Sequence, residues 1–170
     1  MLDWLEVIYR LCAATLIGGA IGLNREFHVK PTGLRTLGLV GLGSAIAVLA
    51  VQHAAPDAAA ASRVGQGIIT GIGFLGAGII LRRPEEDRVH GMTAAAAIWV
   101  TACLGLACGI GAWRIIIVAV ILVALLLTIG GPFERALHRR VFGEGPEQGA
   151  AGEKAEAHTN AQGSESKNLL

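Results

Sequence analysis

The chain is 170 residues long, 53% hydrophobic and 16% charged, with a formal net charge of +1. Soluble domains carry roughly 25% charged residues, so a water-soluble core with a solvated surface is excluded, and so is a basic nucleic-acid binder. The polar residues gather in 143–170, which leaves the remainder more apolar still.

A transmembrane helix needs about 20 mostly apolar residues. Five segments qualify: 7–23, 34–51, 64–81, 92–110 and 115–129. The expected fold class is therefore all-α, an integral membrane bundle of about five transmembrane helices. The chain opens Met1-Leu2-Asp3-Trp4-Leu5-Glu6 without a basic region or cleavage site, so the first segment is not a cleavable signal peptide. The alanine-rich fourth segment is the weakest, and an alternative count merges or drops it. Only the short stretch 109–114 separates the fourth and fifth, which predicts a tight helical hairpin.

Gly130-Gly131-Pro132 is expected to stop the fifth span. Phe133, Leu137 and Val141 then recur every four residues, with Arg135, His138, Arg139 and Arg140 between them. That pattern predicts a short amphipathic helix lying on the membrane surface. From Gly143 the chain has almost no large apolar residues and is expected to be disordered. The domain organisation is thus a transmembrane domain over 1–131, an interfacial helix over 132–142 and a polar tail over 143–170.

Charge placement suggests a direction. Arg25, Lys30 and Arg35 lie between the first two spans, and Arg82, Arg83 and Arg88 between the third and fourth. Arg135, Arg139 and Arg140 follow the fifth, whereas the other side carries Arg63 and Arg114, with Arg10 near the start of the first span. Cytoplasmic loops hold the excess of Lys and Arg, so the N-terminus is expected outside and the C-terminus in the cytoplasm.

Gly71-Ile72-Gly73-Phe74-Leu75-Gly76 matches the GxGxxG dinucleotide pattern in its letters. That pattern carries meaning only between a strand and a helix N-terminus, and here it lies inside a span. Helix packing fits better, because small residues let backbones approach where lipid supplies no hydrophobic drive. Gly67, Gly71, Gly73, Gly76 and Gly78 crowd the third span, and Gly67/Gly71, Gly18/Gly22 and Gly105/Gly109 are GxxxG steps. So many glycines on one span also leave open an irregular helix of the kind that lines transporter sites.

A second constellation is Asn24, Arg25 and Glu26, then Gly33, Arg35 and Thr36, at the ends of the first two spans. Thr32 there suits an N-cap for the second helix. A helix N-terminus beside Arg35 would favour an anion, while the plainer alternative has these cations meeting lipid headgroups. A third group is Thr93, Trp99 and Thr101 on the fourth helix, whose alanines make it thin and suit it to a central position. Gln66 and Thr70 lend the third helix modest polarity. No Asp, Glu, Lys or His lies well inside any span, and such residues normally mark ion paths. Glu85, Glu86 and Asp87 cluster in a loop, where exposed acids are ordinarily just solvated. Cys12, Cys103 and Cys108 sit in apolar runs without metal-ligand spacing. No catalytic set converges, so the chain is not expected to be an enzyme, and no metal or cofactor is expected.

Gly33-Leu34-Arg35-Thr36, the octet 71–78 and Gly91-Met92-Thr93 leading to Ile98-Trp99-Val100 together resemble the MgtC/SapB family of bacterial inner-membrane proteins. The resemblance covers about residues 11–113 and implies a multi-pass inner-membrane domain of four or five helices with a cytoplasmic C-terminus. Longer members add a soluble ACT-like domain, so this chain looks like a short form. The family commonly reads Gly-x-Glu-Arg where this chain has Gly22-Leu23-Asn24-Arg25. Members are linked to growth in low magnesium, stress adaptation and virulence. The function so implied is a membrane-embedded regulator that binds another membrane protein complex, an ATPase among the candidates, or a second copy of itself within membrane lipid. The alternative is a transporter or channel for magnesium or another small solute.

Overall fold

The computed structural model describes residues 3–27, 32–54, 57–82 and 89–142, with the backbone alone described at 81–82, 89–90 and 130–142. The tail 143–170, Lys30 and the acidic loop of Glu85, Glu86 and Asp87 lie outside the described residues. Five helices follow one another among the described residues: α1 (Trp4–Phe27), α2 (Leu34–Ala54), α3 (Ala58–Ile79), α4 (Met92–Ile110) and α5 (Trp113–Phe142). Between α3 and α4 a small antiparallel pair, β1 (Leu81–Arg82) and β2 (Val89–His90), sets Leu81 opposite His90 and Arg82 opposite Val89. The fold is all-α apart from this pair. The chain divides into two compact units, Met1–Leu127 and Thr128–Leu170.

Three of the five expected spans are long and apolar enough to cross a membrane: α1, α2 and α4. In α5 the apolar stretch Trp113–Ile129 is shorter. α3 falls below the mark because Arg63, Gln66 and its many glycines dilute its hydropathy. The helices begin and end where local chemistry provides. Asp57 caps α3, its carboxylate accepting the Ala59 N–H at 3.1 Å. α4 closes on Gly111, at φ 84°, whose N–H bonds Cys108 O while Ala112 N–H bonds Ala107 O, both at 3.0 Å. This is the Schellman arrangement, and it makes the tight α4–α5 turn that the spacing predicts. Gly130-Gly131-Pro132 does not stop α5, whose backbone stays helical to Phe142. A proline removes one donor and strains one turn, and here that does not break the helix.

Within the first unit α1, α2 and α4 form the core. Half of the α4 span is buried inside the chain, against 39% for α2 and 28% for α1, so α4 is the central helix. Leu37, Val48, Ile98, Thr101 and Cys108 are the largest fully buried side chains. The backbones come unusually close. A Cβ at Gly22 would stand 2.6 Å from Gly33 O and one at Gly41 2.6 Å from Ala14 O. At Gly18 and Gly105 it would run into the carbonyls of Leu37 and Gly41. Dispersion and close approach substitute here for the hydrophobic drive that lipid cannot supply. Core hydroxyls bond within their own helices: Thr101 Oγ1 donates to Ala97 O at 2.7 Å and Ser44 Oγ to Val40 O at 2.9 Å.

α3 differs. It packs on α4 and α2 along a stripe including Gly65, Ile72, Gly76 and Ile79, and Gly65 is its one buried residue.

Candidate functional site

The inward face of α1 runs Arg10, Ala14, Gly18, Ile21, Gly22, Arg25. Two arginines thus bracket the core, fifteen residues and about 22 Å apart along the helix. The hydrocarbon layer is about 30 Å thick, so each guanidinium falls toward one edge of it.

At the α1–α2 turn, Arg25 is 3% exposed. Its Nε donates to Thr32 Oγ1 at 3.1 Å and its Nη1 to the Thr93 carbonyl at 3.3 Å. One side chain therefore ties the end of α1 to the approach to α2 and to the first turn of α4. Thr32 pays for this with φ 69°, a left-handed conformation that a β-branched residue rarely adopts. The neighbouring Glu26 reaches forward, its Oε2 accepting the Leu34 N–H at 3.3 Å. The expectation that Thr32 caps α2 is corrected: Glu26 satisfies the first amide of the helix, because the Thr32 hydroxyl is turned toward Arg25. The Glu26 carboxylate thus places a negative charge at this helix N-terminus. Gly33 lies against that carboxylate, where a Cβ would stand 3.0 Å from Oε2. Arg35 and Thr36 are exposed on the first turn of α2 and line a cavity of about 540 Å³ with Glu26 and Gly33. Asn24 is half-buried and engaged.

Gly91 explains the Gly91-Met92-Thr93 motif. At φ 95° its Cα faces the Ile79 carbonyl so closely that a Cβ would collide with it. The residue thereby joins the end of α3 to the start of α4 and sets the Thr93 carbonyl before Arg25. Thr93 contributes that carbonyl, while its side chain is exposed. Thr101 is wholly buried where α1, α2 and α4 meet, and Trp99 points outward, 47% exposed. Gly67, Gly71, Gly73 and Gly78 have nothing within 4 Å of where a Cβ would sit, and Gly76 meets Ala95 at 3.6 Å. These glycines make no tight packing inside the chain. The alternative of a broken helix is not adopted either, for α3 is helical throughout, GxGxxG included.

Sequence reasoning passed over the opposite end. Arg10 donates from Nη1 to the Gly109 carbonyl at 2.7 Å and to Gln52 Oε1 at 3.4 Å, and it pairs with Glu6 through Nη2. It caps the C-terminus of α4, where a cation complements the helix dipole. Gly111 lies flat on the guanidinium, where a Cβ would be 2.7 Å from Nη2. The Glu6/Arg10 spacing of four was the available signal. The rings of Tyr9 and Trp113 meet nearby at a tilt of 51°, centroids 4.8 Å apart. Among the described residues no cluster of three or more His, Cys, Asp or Glu is placed to hold a metal.

The family model described as "MgtC family" matches residues 11–136, which takes in the rest of α1 from Leu11 and all of α2 to α4. The chain belongs to the MgtC family. It is 42% identical over 140 residues to Protein SrpB of Synechococcus elongatus, covering 76% of each chain. It is 39% identical to Protein MgtC of Salmonella typhimurium over 68% of this chain and 48% of that one, so it spans about half of that relative's length. It is 38% identical over 134 residues to YhiD of Escherichia coli, whose name describes a candidate magnesium transporter, over 73% of this chain and 60% of that one. No solved structure matches. Membership of the MgtC family and the three long apolar helices make this a membrane protein.

Proposed function

We propose that this MgtC-family protein is a regulatory protein of the bacterial inner membrane, linked to magnesium homeostasis or stress adaptation, that acts by binding another membrane protein complex through the outer face of α3. The observation that carries the reading is where the α3 glycines face. Gly67, Gly71, Gly73 and Gly78 are exposed with open space before them, and Gln66 and Thr70 are exposed beside them. Small residues favour close helix contact in lipid, and a glutamine amide there gains from a protein partner. The face is suited to another helix. The test is crosslinking from Phe74, which is 83% exposed on that face, in native membranes. A second membrane protein should be captured, and Gly71→Leu should abolish its capture. Finding self-association alone would count against the reading.

The name of YhiD favours a second reading, a magnesium transporter. Weighing against it, the backbones of α1, α2 and α4 close on one another at Gly18, Gly41 and Gly105, which leaves no room for an ion to pass between these helices. Purified protein in liposomes should show no magnesium flux above that of empty vesicles; flux that Gly73→Leu abolishes would establish the transporter instead.

A further inference from the structure

We infer that the groove between α1 and α2 is a binding site for one phospholipid with a zwitterionic, primary-ammonium headgroup, that is, phosphatidylethanolamine. This goes beyond the proposed regulation and does not rest on it.

Two adjoining cavities carry the inference. The first, about 640 Å³, runs between the outer faces of α1 and α2 and is lined almost wholly by apolar groups, among them Leu16, Gly19, Ala20, Gly38 and Leu42. The second is the 540 Å³ cavity of Glu26, Gly33, Arg35 and Thr36. They share Leu23, Leu34 and Arg35, so the apolar groove opens directly into the polar cavity. Along α2 the groove reaches from Leu34 to Leu42, about 12 Å, most of one leaflet of a hydrocarbon core about 30 Å thick. Glycines at 19 and 38 form its floor and give it the depth for an acyl chain.

The polar end selects the headgroup. Arg35 is exposed and has no ion-pair partner among the described residues. It stands where a phosphodiester at the leaflet edge would lie, with the Thr36 hydroxyl beside it. Glu26 spends one carboxylate oxygen on Leu34 N–H and retains acceptor capacity. A purely anionic headgroup would satisfy Arg35 and meet Glu26 as a like charge. A choline headgroup has no N–H to give Glu26. An ethanolamine phosphate matches both: phosphate to Arg35 and Thr36, ammonium to Glu26. The matching groove at the other end of α1 and α2, lined by Trp4, Leu11 and His53 among others, has no such pair of opposite charges.

Native mass spectrometry of the full chain, released from micelles doped with one lipid at a time, decides the matter. With identical acyl chains, phosphatidylethanolamine should be retained about tenfold more than phosphatidylcholine or phosphatidylglycerol, equivalent to about 1.4 kcal/mol. Arg35→Gln should bring it down to the phosphatidylcholine level. Gly19→Leu, where a Cβ meets only the Leu34 side chain, at 3.8 Å or more, should fill the groove and lower retention of all three lipids. Equal retention of the three by the wild-type chain means an unselective lipid annulus and overturns the assignment, as does preference for phosphatidylglycerol. The wild-type comparison stands even if a variant does not fold.

Discussion

Gly105 and Gly71 are both helical glycines in apolar segments, and each belongs to a GxxxG step, Gly105/Gly109 and Gly67/Gly71. Gly105 lies against the Gly41 carbonyl of a neighbouring helix, so close that a single added methyl would collide, whereas Gly71 faces open space. The core of α1, α2 and α4 spends its glycines on contacts within the chain, and α3 keeps most of its own on the outside. Small residues alone thus do not say what they pack against. In this fold they divide into glycines that build the bundle and glycines that remain available to something else.

The comparison breaks most sharply by adding one carbon to each group. Gly105→Ala drives a Cβ into a backbone carbonyl that cannot rotate away, and overpacking of this kind costs about 1–3 kcal/mol or more. Thermal unfolding in detergent should show a large fall in midpoint, with Gly41→Ala close behind. A wild-type midpoint for Gly105→Ala would mean that α2 and α4 do not approach as described.

Much of this core was legible beforehand. The Gly18/Gly22 and Gly105/Gly109 steps stand out in apolar runs because four residues bring side chains to one helical face, and α4 was expected at the centre because its alanines make it thin. Gly41 was not legible, since it belongs to no GxxxG step, although Gly38 three residues before it shares its buried face. The burial of Arg25 was hidden for a different reason. Arginine at the end of a span reads first as a topology signal, and nothing in the letters shows that Thr93, sixty-eight residues away, offers it a carbonyl. The same holds for Arg10 and the end of α4. The α3 glycines were visible as a cluster, but the letters do not show that most of them face away from the chain's own helices.

Arg25 supplies the next test. Its bonds to Thr32 and Thr93 hold the ends of three elements together at one end of the core. Arg25→Met keeps the volume and loses the donors, and hydrogen bonds to charged groups contribute about 1.5–3 kcal/mol. The same unfolding measurement should register a loss of about that size. An unchanged midpoint would mean that the guanidinium interacts with headgroups rather than with Thr32 and Thr93.

A smaller effect of opposite sign is expected at Thr32. Its φ of 69° strains a β-branched residue, and asparagine tolerates that region while keeping an oxygen for Arg25 Nε. Thr32→Asn should raise stability by roughly 0.5–1 kcal/mol. Thr32→Gly relieves the same strain but removes the acceptor, so it should gain less. Equal gains would show that the Arg25 bond contributes nothing.

A gain of similar size is expected at Gly71, and there the two groups of glycines separate most clearly. With no atom within 4 Å of the added carbon, Gly71→Ala removes only the entropic cost of a helical glycine and should stabilise the chain by up to about 1 kcal/mol. Natural helices rarely keep such a cost on a free surface without a use for it. If α3 meets a partner there, Gly71→Ala and Gly71→Leu should leave the unfolding midpoint at or above the wild-type value while weakening capture from Phe74 in order of side-chain size. A core glycine cannot behave this way, because any substitution that disturbs its contacts unfolds the bundle first. Stability and capture falling together at Gly71 would mean that this glycine packs inside the bundle. Stability holding while capture falls would mark its glycines as a surface kept for another protein.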